Sequence, residues 1–180
     1  SLHRLRMNGK GQVTEEVARE NESLKTSIAI KSISHSSSLV KLKLTNIVSG
    51  DNCPLEAFLS STRTLLDFSY SQDYSTMAHA TAQAIGRGFA KNKSLVNLEW
   101  RTPLGFDFME EVFFGLFDHI NLKSLVLSTQ LTKLSSQALR SLLHYNETLE
   151  NFELTLRENE EEFPTMVSVL AGLAQNTGLK

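Results

Sequence analysis

The sequence predicts an α/β solenoid in which short parallel strands alternate with helices. Three observations predict it. Five segments open on a leucine behind a polar lead-in and continue as L-x-x-L-x-L with conservative swaps: Leu39/Leu42/Leu44, Leu65/Phe68/Tyr70, Leu95/Leu98/Trp100, Leu122/Leu125/Leu127 and Leu149/Phe152/Leu154. Successive openings lie 26, 30, 27 and 27 residues apart, and 30 more reach Leu179. A fixed period in this range marks stacked structural units. The end of each segment alternates, and the stretch before the next opening has helical spacing.

The elements follow in order. Residues 1–7 read as L-x-x-L-x-M, from Leu2 through Leu5 to Met7. Val13 to Asn21 has room for a short helix, and Ile28, Ala29 and Ile30 for a strand with a bare loop behind it. The serine-rich 32–38 stretch is expected to be flexible, so residues 1–38 form irregular N-terminal repeats. Regular units then occupy 39–180. In the first, Leu42 and Leu44 point one way while Lys41, Lys43 and Thr45 point the other. Pro54 and Pro164 suit the first position of the helices that follow, where a missing N–H costs nothing. The second helix is predicted near Ser75 to Lys91, with Met77, Ala84, Ile85 and Phe89 inward. The third runs from about Asp107 to Asp118, with Met109, Val112, Phe113 and Leu116 inward. The fourth covers 137–145 with Leu139, Leu142 and Leu143 inward, capped by Ser135 or Ser136, and the chain turns out of it at Asn146. Strands about 4.8 Å apart against helices about 10 Å wide bend such a stack into an arc. The sheet is then the concave face and the helices the convex face. Both ends read as cut from a longer array.

Bulk properties exclude several classes. The chain has 180 residues with 18 basic and 20 acidic side chains, a formal charge of −2, so no bulk field draws nucleic acid or an anionic membrane. A single cysteine, Cys53, forbids an internal disulfide and points to the cytoplasm, or to a host cytosol for an effector. No apolar run reaches membrane-spanning length.

The joins carry a resemblance. The segment Ala84 to Trp100, echoed by Leu139 to Leu154 and Val169 to Leu179, resembles the helix–turn–strand join of ribonuclease-inhibitor-like leucine-rich repeats. The resemblance covers roughly 39–180 and implies a horseshoe-shaped leucine-rich repeat solenoid. Such domains occur in the ribonuclease inhibitor, in nucleotide-binding immune receptors, in the Ran GTPase-activating protein, in actin regulators and in bacterial effectors. It implies a protein–protein interaction module; the alternatives are a regulator of a GTPase, or the substrate-recognition region of a larger enzyme or effector. A GTPase regulator would need a rim residue such as Arg101 or Arg157. The sequence departs from the family after the strands, where the usual Asn or Cys is replaced by Ile47, Asp73, Pro103, Gln130 and Arg157. The turns there are expected to be looser.

Chemistry-bearing motifs are weak. Asn21-Glu22-Ser23, Asn92-Lys93-Ser94 and Asn146-Glu147-Thr148 fit a glycosylation pattern, but they recur at one point of the unit, where Asn tolerates left-handed backbone after a helix. Gly86-Arg87-Gly88 lies inside a helical pattern and reads as small residues for close packing, not as a phosphate loop. Five scattered histidines lack metal-ligand spacing, and no nucleophile elbow is present, so neither a metal, a cofactor nor catalysis is expected. Glu158, Glu160, Glu161 and Glu162 read as a solvated loop leading into a helix.

The concave face is read in three rows: Lys41, Asp67, Asn97, Ser124, Asn151; Lys43, Ser69, Glu99, Val126, Glu153; and Thr45, Ser71, Arg101, Ser128, Thr155. Rim loops add Tyr74, Phe106, Phe108 and Arg157. The candidate partner-binding residues are Lys41, Lys43, Asp67, Glu99, Arg101 and Phe106. The expected partner is another protein, with no role for nucleic acid or membrane.

Overall fold

Segments that bury every second residue, each followed by a helix, build one parallel sheet covered on one face. The computed structural model describes residues 4–7, 38–45, 54–72, 79–102, 109–156 and 162–179. Six strands lie in chain order: β1 (Arg4–Met7), β2 (Lys41–Thr45), β3 (Asp67–Ser71), β4 (Asn97–Arg101), β5 (Ser124–Thr129) and β6 (Asn151–Leu156). Among the described residues five helices follow β2 to β6 in turn: α1 (Pro54–Ser61), α2 (His79–Lys91), α3 (Met109–Leu116), α4 (Lys133–Tyr145) and α5 (Glu162–Leu173). Each strand pairs in parallel with the next, and each helix packs on the next, a solenoid-like stack. β1 lies directly beside β2, with Arg4 opposite Lys41. The Val13–Asn21 helix, the Ile28–Ile30 strand and the 32–37 serines fall outside the described residues, as do Met77 and residues 46–53, 73–78, 103–108 and 157–161.

The register sets the core. Leu42, Phe68, Leu98, Leu125 and Phe152 align in one row, and Leu44, Tyr70, Trp100, Leu127 and Leu154 in another. From β2 to β5 both rows are buried, and Tyr70 stacks on Trp100 with ring centroids 4.5 Å apart. Phe152 and Leu154 are only partly buried, because β6 has a neighbour on one side alone among the described strands. The helices bury Ala84, Ile85 and Phe89, then Met109, Val112, Phe113 and Leu116, then Leu139, Leu142 and Leu143, as their periodicity predicts. Gly86 and Gly115 let α2 and α3 touch backbone to backbone: a Cβ on Gly115 would collide with the Gly86 carbonyl. Close packing is thus the use of Gly86.

Two helix ends differ from expectation. α4 begins at Lys133, four residues before the expected start at Gln137. Thr132 is its N-cap, and Ser135 sits at the third helical position, where the two side chains bond each other's backbone amides. α1 does start at Pro54, but α5 starts at Glu162, which puts Pro164 third, still within the turn whose N–H groups are free.

The polar lead-ins prove to be hydrogen-bond ladders between units. Three residues before an opening leucine, Asn92 donates through Nδ2 to the Leu59 carbonyl at 2.8 Å, and its Oδ1 accepts from the Ser94 and Leu95 amides. Asn146 repeats this with the His119 carbonyl and the Thr148 and Leu149 amides. Asn176 repeats it with the Leu143 and Asn146 carbonyls and the Gly178 and Leu179 amides. Asn146 has φ −81° and ψ 109°, an extended conformation, so this asparagine is selected for its buried side-chain bonds and not for left-handed backbone. One residue before the opening, the hydroxyls of Thr64, Ser94 and Thr148 donate to the Leu39, Leu65 and Leu122 carbonyls at 2.9–3.0 Å.

Two stability predictions follow. Leu125→Ala should cost about 2–5 kcal/mol, because it leaves a cavity in a fully buried row. Asn92→Ala should cost about 2–4 kcal/mol, because it strands one buried carbonyl and two amides. Urea unfolding monitored by circular dichroism reads both; a midpoint matching the parent would contradict either.

Candidate binding surface

The strand residues that do not face the helices form the open face. Strand pairing places Lys41, Asp67, Asn97, Ser124 and Asn151 in one straight row. Lys43, Ser69, Glu99, Val126 and Glu153 form the second, and Thr45, Ser71, Arg101, Ser128 and Thr155 the third. These are the three rows expected from the sequence. The sheet therefore brings together Lys41, Lys43, Asp67, Glu99 and Arg101. Phe106, Phe108, Tyr74 and Arg157 lie outside the described residues.

Charges from β2 to β4 on this face are mutually engaged. Lys41 pairs with Asp67 at 3.6 Å, and Asn97 also donates to the Asp67 carboxylate. Glu99 sits at the centre: it accepts from Ser69 Oγ at 3.1 Å and pairs with Arg101 Nε at 2.5 Å. Burial raises the Glu99 carboxyl pKa, but hydrogen bonds from Arg101 and Ser69 and the charges of Arg101 and Lys43 outweigh that and hold it below the usual glutamate range. Ser69 is itself buried beneath this cluster. Toward β6 the face becomes neutral at Ser124, Val126 and Ser128, then acidic at the exposed Glu153. An ordered, polar, mixed-charge surface of this kind suits recognition by complementary polar groups more than burial of a large apolar ligand.

The opposite, helical surface carries features the sequence did not single out. Exposed apolar side chains include Ile120, Leu134, Tyr145, Val167 and Leu170, beside Phe114, which falls off the inward stripe as its spacing predicts. Phe117 is only half-buried and packs its ring 5.2 Å from that of Tyr145. His119 is buried in the join before β5 with neither ring nitrogen hydrogen-bonded. Its signal in the sequence is positional: it stands three residues before Leu122, where other joins have Asn92 and Asn146. Among the described residues no three His, Cys, Asp or Glu side chains cluster to hold a metal ion, and no helix is long and apolar enough to cross a membrane.

The Glu99–Arg101 pair is partly exposed, so a double-mutant cycle with Glu99→Gln and Arg101→Ala should give a coupling of only about 0.2–1 kcal/mol, weakened by salt. Because the folded carboxyl pKa is depressed, this coupling is present at neutral pH and is lost only as pH falls below the ordinary glutamate range. Urea titrations at neutral and acid pH measure it; a coupling that strengthened on acidification would contradict the pairing. In comparisons with known proteins, the chain matches no family model and no curated relative.

Proposed function

We propose that this protein is a leucine-rich repeat domain of the ribonuclease-inhibitor-like kind, and that it is a non-enzymatic protein–protein interaction module. In this reading the sheet curves into an arc with its open face concave, and a protein partner docks along it in the cytosol. The supporting observation is the register: five strands carry three straight rows of side chains, all polar but Val126, so one partner meets residues from several units at once. At a strand spacing of about 4.8 Å, each row spans about 19 Å. The residues proposed to carry recognition are Lys41, Lys43, Asp67, Glu99 and Arg101, together with Phe106. Recognition by an engaged network favours a partner that presents its own paired donors and acceptors, because an unmatched buried charge costs more than a rim contact returns.

The test uses a photo-crosslinking residue placed at Val126 on the open face and, separately, at Arg140 on α4. Cross-linking from position 126 identifies the partner and the face together. With that partner, Arg101→Ala combined with Phe106→Ala should weaken binding at least tenfold at an unchanged melting temperature. If binding is untouched by that pair and is abolished by Arg87→Ala with Arg140→Ala, the helical surface is the working one and the proposal fails.

A further inference from the structure

We infer that the join at His119 is an acid-sensitive seam, at which protonation of the buried imidazole loosens the contact between the β4 and β5 units before the rest of the stack.

The seam is defined by the ladder it interrupts. At Asn92, Asn146 and Asn176 the side chain ties its own turn to a carbonyl of the preceding unit and to the two amides that lead into the next opening. His119 occupies the same station, 2% exposed, yet Nδ1 and Nε2 both lack a hydrogen-bond partner. The main chain is still held from one side, by Asn146 Nδ2 bonding the His119 carbonyl and by the His119 amide bonding Leu116. The ring therefore fills the space of a ladder residue without supplying its bonds to the Asn121 and Leu122 amides.

A neutral imidazole tolerates this position and an imidazolium does not. Burial, reinforced by the Lys93 ammonium on the preceding join, lowers its pKa from 6.5 to about 4, against a smaller upward pull where the ring approaches the Asn92 carbonyl without reaching hydrogen-bond geometry. The other charged or titratable groups on the adjoining turns and helix ends are Lys91, Asp118, Lys123, Glu147 and Glu150, all exposed, and the half-buried His144; none hydrogen-bonds to the ring. The opened form takes up its proton at the ordinary histidine pKa and the closed form only well below it. The closed join is thus fully favoured above about pH 6.5 and loses ground as pH falls toward 4. Opening here separates Glu99 and Arg101 on β4 from Ser124 and Val126 on β5, so acid divides the open face through its middle. The seam is a property of the fold and stands whether or not that face is the binding surface.

Native-state hydrogen exchange at pH 7.5 and pH 5, with rates corrected for intrinsic pH dependence, tests it. The opening equilibrium at the amides of residues 120–124 should rise on the order of tenfold at pH 5, while that of Ala138–Leu143 on α4 rises much less. His119→Asn should restore the ladder and abolish the local rise, and His119→Gln, which cannot take up a proton there, should also abolish it even if the join is weakened at both pH values. An equal rise along the whole chain, no rise at 120–124, or a local rise that survives either substitution overturns the seam.

Discussion

Everything in this stack depends on one recurring constraint: the chain must leave each helix, cross to the sheet and begin a strand while burying its backbone polar groups. Buried amides and carbonyls without partners cost about 1–3 kcal/mol each. The asparagine and hydroxyl side chains at the joins meet that demand by bonding to the unit before and to the strand about to start. Because the joins at Asn92, Asn146 and Asn176 bond a carbonyl of the preceding unit and the two amides that open the next strand, each of those strands enters the sheet at a height set by its neighbour. Register is therefore inherited from join to join.

Constant register is what makes the two faces so different. Residues two apart point to one side of a strand, so a slip of one would move every leucine to the open face. With the slip prevented, the large apolar residues from Leu42 to Leu127 fuse into a single core beneath the helices. The intervening polar residues fall into rows on the other side. Helix packing then sets how closely units approach. Between α2 and α3 the Gly86–Gly115 contact allows backbone touch, whereas α1 and α2 are bridged outside by Glu56 with Arg87 and Lys91.

The station before β5 shows what the constraint tolerates. His119 matches the ladder residue in burial but not in bonding, and the neighbouring side chains compensate in part: Asn121 reaches back to the Lys93 carbonyl, a bond its counterparts make with hydroxyls to a different acceptor. A similar looseness marks Thr62, whose buried hydroxyl has no partner at the station before β3. The stack thus mixes tightly tied joins at Asn92, Asn146 and Asn176 with loosely tied ones at Thr62 and His119.

Much of this was legible in the sequence, because period and alternation are one-dimensional traces of burial. Leucine spacing located every strand from β2 to β6, and helical spacing named the inward residues of α2, α3 and α4. The composition of the three open-face rows also followed, since equivalent positions of each repeat pair in a straight parallel register. What tertiary structure decided were interactions between residues about 30 apart that leave no local pattern. The sequence pointed to missing asparagines after the strands and read those before the strands as turn formers. The fold uses the latter as the ladder, because only there does a short amide side chain reach a neighbouring unit's carbonyl and its own following amides together. Likewise no spacing rule shows that Glu99 reaches Ser69 on the neighbouring strand, or that one scattered histidine is sealed without a partner, since both depend on which side chains the stacking of units brings together.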